Sequence, residues 1–229
     1  MHPTIAYLKN KNLLWQASHT QSVDNIQHTG FKELDSALQG GFPEYGVVDI
    51  RSPMGIGELR LLLPSILTRQ QQRVTELVTF IAPPMSVNGE MLAEFGFRLD
   101  QVMLVQPRLS NQVLWSTEQS LKSGCCHSVI LWHDALSVTQ IKRLQLAAEK
   151  GHCLLFIIRQ PQQVHISLPV TLGIKLSPSK VGIQANITKR KGTSPSDAFH
   201  IYMGAYWPEL CQPEHNNVLT FPSSASCAG

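Results

Sequence analysis

The sequence predicts an α/β fold, a mostly parallel sheet flanked by helices with an antiparallel C-terminal extension. Three observations predict it. Between residues 47 and 158 several short apolar runs recur with little polar alternation, as strands buried on both faces require. Segments with helical spacing separate them, which is the alternation of a βαβ chain. After Pro161 the pattern changes to short strands linked by Pro, Ser and Gly turns, the signature of antiparallel pairing.

The elements follow in order. Phe31, Leu34 and Leu38 share one helical face, and Gly40-Gly41-Phe42-Pro43 stops that helix. Val47 to Ile50 reads as a strand, followed by a loop at Ser52-Pro53-Met54-Gly55. A helix from about Gly57 to Gln71 buries Leu59, Leu62, Leu63, Ile66 and Leu67, and Pro64 is expected to kink it or disturb its first turns. Leu77 to Ala82 is a strand ended by Pro83-Pro84, and the helix around Met91, Leu92 and Phe95 stops at Gly96. Val102 to Val105 is a strand closed by Pro107. Ser110 is expected to cap a helix carrying Val113, Leu114 and Leu121 that ends at Gly124. Val129 to Trp132 is a strand, Ser137 caps a helix with Ile141, Leu144 and Ala148, and Cys153 to Ile158 is a strand. Beyond Pro161, residues 164–166, 173–176, 181–187 and 199–203 read as short strands.

Organisation follows from the same pass. Residues 1–27 read as a flexible N-terminal arm, 28–160 as the α/β core, 161–210 as a β extension of the same domain, and 211–229 as a flexible tail. Leu13, Leu14 and Trp15 form one apolar cluster in the arm, a candidate partner surface. In the tail, Asn217 to Phe221 loosely resembles a sliding-clamp peptide but lacks its glutamine, and a disordered tail is the favoured reading.

The 229 residues, 43% hydrophobic and 15% charged, describe an ordinary globular composition. A net charge of +3 permits nucleic-acid contact without demanding it. Five cysteines, an odd number with Cys125 and Cys126 adjacent, argue against a disulfide framework and give no metal-ligand spacing. No apolar run approaches the roughly 20 residues of a membrane span, and the N-terminus lacks a signal-peptide core, so a cytoplasmic, reduced setting is expected.

A strand, a glycine-containing loop and a helix form the setting of a phosphate-binding loop, whose working version reads G-x-x-x-x-G-K-[ST]. Here the eight residues are Ser52-Pro53-Met54-Gly55-Ile56-Gly57-Glu58-Leu59. Gly57 keeps the second glycine. Ser52 stands for the first, Glu58 for the lysine, and Leu59 for the hydroxyl that would hold magnesium. Glu58 sets a negative charge where a triphosphate's would sit, a repulsion on the order of 1 kcal/mol at ~4 Å in water and more where solvent is excluded. The loop therefore reads as one that does not bind nucleotide. The dinucleotide pattern G-x-G-x-x-G matches only at Gly55-Ile56-Gly57 and fails at Arg60.

On these residues the chain resembles the RecA/RadA recombinase superfamily over roughly 28–160. The leader Thr29 to Gly46, the segment Leu99 to Pro107 and Ser123-Gly124 before the fourth strand carry that likeness. In the superfamily, the catalytic glutamate after the second strand would fall at about Pro84 and the magnesium-linked aspartate at Trp132, with Asp134 two residues on. Both positions depart from the active pattern, as Glu58 does, so the resemblance implies the fold without the ATPase and without a cofactor. A divergent RecA-like ATPase with an unusual loop is an alternative, and it predicts nucleotide binding.

A closer resemblance is to ImuA, the RecA-like accessory of the bacterial translesion-synthesis mutasome. It rests on Gly55 to Pro64, Arg143 to Glu149 and Thr188 to Gly192. The related SulA division inhibitors, which bind FtsZ, share the stretch from about Leu61 to Gln160 but lack most of the leader. The ImuA resemblance implies an SOS-induced adaptor. Its implied partners are an ImuB-type Y-family polymerase homologue, an error-prone replicative-type polymerase and RecA. FtsZ is the partner under the SulA alternative. The likeness at Gly55–Pro64 makes Arg60 a candidate partner contact.

Lys189, Arg190 and Lys191 end a predicted strand, and from 161 to 204 five basic residues face one acid, Asp197. DNA-backbone contact and a solvated hairpin end both remain open for this cluster. His133 and Asp134 lie at a strand's C-terminal end, where open α/β sheets place ligands; without a nearby nucleophile they read as structural or surface residues.

Overall fold

The computed structural model describes residues 26–161, 168–190 and 197–211. One eight-stranded sheet dominates it, in the order β10-β9-β8-β3-β7-β6-β4-β5. The parallel strands are β3 (Gly46–Arg51), β4 (Leu77–Ile81), β5 (Val102–Val105), β6 (Cys126–Trp132) and β7 (Leu154–Arg159). The extension is β8 (Leu172–Ser179), β9 (Gly182–Arg190) and β10 (Phe199–Tyr202). A small antiparallel pair, β1 (Ile26–Gln27) with β2 (Phe42–Pro43), ties the leader down.

The period of two along each strand divides the core between two faces. Val48, Ile50, Phe80, Ile130 and Phe156 point to the side covered by α1 (Lys32–Ala37), α2 (Glu58–Gln72) and α3 (Gly89–Glu94). Val47, Val129, Leu131, Leu155 and Ile157 point to the side covered by α4 (Ser110–Lys122) and α5 (Val138–Lys150). β7 is buried along its whole length, as its unbroken apolar run predicts. In β8 only alternate residues, Leu172, Ile174 and Leu176, enter the first core, and Lys175 faces out.

The structure corrects two sequence expectations. The 173–176 strand is not wholly antiparallel: β8 runs parallel to β3, with Val48 opposite Leu172, and antiparallel order begins at β8–β9. A strand pattern fixes the buried face but not the direction of the neighbour, and β8 meets one neighbour of each kind. Ser110 does not cap α4. Leu109 holds the extended cap position, its N–H donating to Gln112 Oε1 at 3.3 Å, while the Ser110 hydroxyl lies 3.3 Å from His133 Nε2. Ser137 behaves as expected, accepting from the Gln140 N–H at 3.2 Å within a capping box.

Pro64 lies inside α2, which continues through it to Gln72. Its ring packs against the leader, where a Cβ on Gly30 would stand only 2.6 Å from Pro64 Cβ. Further along α2, Arg69 donates to the Pro43 and Glu44 carbonyls, each at 2.8 Å. Burial, then the neighbouring Arg73 charge, lowers its pKa to about 10. The leader is thus bonded to the helix that follows the loop. Among the described residues, no helix is long and apolar enough to cross a membrane.

Candidate functional site

The loop from Ser52 to Gly57 leaves the C-terminal end of β3 and enters α2, the strand–loop–helix setting that its sequence implies. Its base is held from below. The Ser52 N–H donates to Arg159 O at 3.0 Å, fastening the loop to the end of β7. Beneath it, Asp49 is 1% exposed and receives Arg159 Nε at 2.5 Å and Nη2 at 2.8 Å, with Arg51 Nε at 3.1 Å. A buried carboxylate requires such partners, because desolvating an isolated charge costs several kcal/mol.

Gly57 occupies the left-handed region, φ 94°, at the cap position of α2. Glu58 follows as the first helical residue. It is 8% exposed, and its Oε2 has no hydrogen-bond partner among the described residues. A carboxylate in the first turn complements the positive end of the helix dipole, so the attraction that would favour a bound anion is met from within the chain. Leu59 packs against the core. No lysine or arginine lies between Ser52 and Leu59, and the Ser52 hydroxyl donates to Pro53 O at 2.8 Å.

A feature that sequence reading missed covers this entrance. After β10 the chain forms a strap, Gly204–Cys211, with a 3₁₀ turn at Pro208–Leu210. Leu210 sits so close to Gly57 that a Cβ there would stand 2.6 Å from Leu210 Cδ1. Arg60 is held by Glu209 at 2.5 Å and lies 4.8 Å from the centre of the Trp207 ring. The candidate partner residue Arg60 is therefore engaged internally. The signal available in the sequence was the aromatic pair Tyr206-Trp207 just before Pro208.

The other candidate residues do not converge here. Ala82, Pro83 and Pro84 follow β4, and Trp132 ends β6 stacked on Phe80 with centroids 6.3 Å apart. Asp134 Oδ1 accepts from the Gln160 N–H at 2.7 Å, a structural bond between two strand ends. Burial lowers the pKa of His133, and the nearby Asp134 charge partly opposes it. The basic cluster lies at the opposite end of the sheet, since Arg190 pairs with Leu172 and Leu172 with Val48. There the Lys189 ammonium donates to Leu168 O at 2.6 Å, and Arg190 Nη1 is buried without a partner among the described residues. Lys191, the Leu13–Leu14–Trp15 cluster and the 217–221 segment lie outside the described residues.

Among the described residues β5, at the far edge of the sheet, pairs only with β4. Leu104 there is 51% exposed. On the other face of the sheet, beside Val105, runs a groove of about 810 Å³ between α4 and α5, lined in part by Val105, Leu114, Arg143 and Trp115, the last 63% exposed. An open strand edge flanked by exposed apolar side chains is a surface to which another chain can add.

Comparison with known proteins gives two groups of relatives. The cell division inhibitor SulA of Pseudomonas aeruginosa is 30% identical over 93 residues, 41% of this chain and 58% of SulA. That of Photorhabdus laumondii is 33% identical over 105 residues, 46% of this chain and 58% of the relative. RecA of Streptomyces venezuelae is 26% identical over 133 residues, 58% of this chain and 34% of RecA. The chain is similar to SulA and to RecA. It spans 58% of the length of these SulA relatives and about a third of RecA. The crystal structure of the Pseudomonas aeruginosa SulA superimposes with a TM-score of 0.43 at 28% identity, covering 50% of this chain and 98% of that one. No protein-family model matches the chain.

Proposed function

We propose that this protein is a non-catalytic RecA-like accessory of the SOS response to DNA damage. In this reading it is a cytoplasmic adaptor of the ImuA type for error-prone translesion synthesis. It joins an ImuB-type Y-family polymerase homologue and an error-prone replicative-type polymerase to RecA. One observation carries the proposal: the entrance of α2 is filled from within. Glu58 supplies the anion, Leu210 fills the space over Gly57, and Leu59 offers no magnesium ligand. Residues of this kind do not fit a magnesium–nucleotide complex. What remains useful is surface, and the β5 edge with its groove supplies an exposed one.

Calorimetry with magnesium-ATP is expected to give no binding heat. Micromolar affinity that Glu58→Lys does not improve would overturn the non-catalytic reading. Affinity capture from DNA-damaged cells is expected to recover the polymerase complex.

The similarity to SulA favours a second reading, an inhibitor of cell division that binds FtsZ. Capture of FtsZ without any polymerase would select it.

A further inference from the structure

The strap over α2 differs from the rest of the fold in how it is held. Every backbone–backbone hydrogen bond made by a strap N–H stays local: Tyr206 and Trp207 donate to Met203 O, Leu210 to Trp207 O, and Cys211 to Pro208 O. Among the described residues, none of these bonds joins residues 204–211 to the loop or to a helix. Its seat is made by side chains. The Trp207 indole stacks on Phe95 with centroids 4.8 Å apart and covers the Arg60 guanidinium. The Tyr206 ring meets Phe31 and Phe95 edge-on at 5.5 and 6.0 Å. Glu209 pairs with Arg60, and Leu210 fills the hollow over Gly57.

One polar group of the strap and one at the start of α2, next to Gly57, are left without partners among the described residues. Trp207 Nε1 and Glu58 Oε2 are both buried and unbonded among the described residues, in side chains more than nine-tenths buried. A buried polar group without a partner destabilises the closed arrangement. The strap thus closes an apolar cleft with one cation at its rim while leaving polar atoms of both partners unmet. Release of the strap returns the Trp207 indole N–H to water, and a segment that donates to Glu58 Oε2 would meet the group that stays at the start of α2.

We propose that the strap is a displaceable internal ligand. The cleft it fills, formed by Gly57, Arg60, Phe31 and Phe95, is a docking site for a segment of a partner protein. The strap states the chemistry of that segment: an aromatic residue, an acid two positions later and leucine next, as in Trp207, Glu209 and Leu210. Partner binding releases the strap, so the cleft is closed until a competing segment is present. This rests on the adaptor reading and adds a second partner surface, at the entrance of α2.

The test uses the full chain and a labelled peptide of residues 204–211 carrying Cys211→Ser. In the unsubstituted chain the strap competes at an effective concentration in the millimolar range, so the peptide is expected to bind weakly or not at all. A full chain with Glu209→Ala and Leu210→Ser, which removes those two side chains' contacts with Arg60 and Gly57, is expected to bind it at least about tenfold more tightly. Adding Arg60→Glu to that chain is expected to weaken binding about fivefold, and Glu209→Arg in the peptide to restore it. Urea titration and circular dichroism establish that each variant is folded. Equal peptide binding by the folded variant and the unsubstituted chain, or failure of the charge exchange, overturns the proposal. Peptide binding with no polymerase in the affinity capture would leave the cleft standing and remove the translesion reading. Recovery of the polymerase without peptide binding would do the reverse.

Discussion

Removing Arg159 is expected to be among the most costly single changes in this chain. Asp49 and Arg159 are separated by 110 residues in sequence, and both side chains are almost fully buried, 1% and 7% exposed. Arg159→Ala leaves the Asp49 carboxylate desolvated and removes two charge-assisted hydrogen bonds, at 2.5 and 2.8 Å. Breaking a buried pair from one side costs about 3–5 kcal/mol. Arg51 remains 3.1 Å from the same carboxylate, which sets the expectation at the lower end, ~3 kcal/mol. The double variant Asp49→Leu with Arg159→Met exchanges the pair for apolar bulk and is expected to recover about half or more of that loss. Equilibrium urea denaturation followed by fluorescence reads both as shifts in midpoint at constant slope. A loss below ~1 kcal/mol for Arg159→Ala, or a double variant worse than the single one, would refute the argument that the pair exists to neutralise Asp49 beneath the loop.

Further outcomes follow from other sites. Gly57→Ala places a Cβ 2.6 Å from Leu210 Cδ1 at φ 94°, and a loss of about 2 kcal/mol is expected. Leu210→Ala in the same chain removes the clash and shrinks the additional cost of Gly57→Ala to the ~1 kcal/mol of backbone strain, measurable by a double-mutant cycle. Burial, then the Arg69 and Arg73 charges, lowers the His127 pKa from 6.5 to about 3. The unfolded chain takes up this proton first, so stability present above pH 6.5 is lost as pH falls toward 3, by at most about 1.4 kcal/mol per pH unit. His127→Gln is expected to flatten the pH dependence of the urea midpoint between pH 6.5 and 4. If the basic strand end contacts DNA, alanine at Lys189, Arg190 and Lys191 abolishes salt-sensitive binding to a duplex. Binding that persists unchanged removes that role.

Much of this fold was legible because burial writes itself into the chain. β3, β6 and β7 are buried along nearly all their residues, and continuous apolar runs announced them. Ser137 announced its helix because a cap is a local chemical need. The Asp49 pair was not read, since a single acid inside Val47-Val48-Asp49-Ile50 gives no hint of a partner so distant along the chain. Ser110 misled because its hydroxyl met His133 rather than a backbone N–H. The loop's substitutions were visible one by one. The strap that covers them was not, because Trp207 and Leu210 gain meaning only from Phe95 and Gly57 across the fold.

The central strand carries a consequence for how the chain is made. β3 pairs with β7 on one side and β8 on the other, so Val48 waits for Phe156 and Leu172. During synthesis its backbone donors and acceptors have no sheet partner until more than a hundred further residues have left the ribosome. Contacts so distant in sequence fold slowly and leave apolar edges open to other chains meanwhile. The first half of this protein therefore depends on its second half. A translation pause or premature stop before residue 158 is expected to release an aggregating fragment rather than a partly working domain.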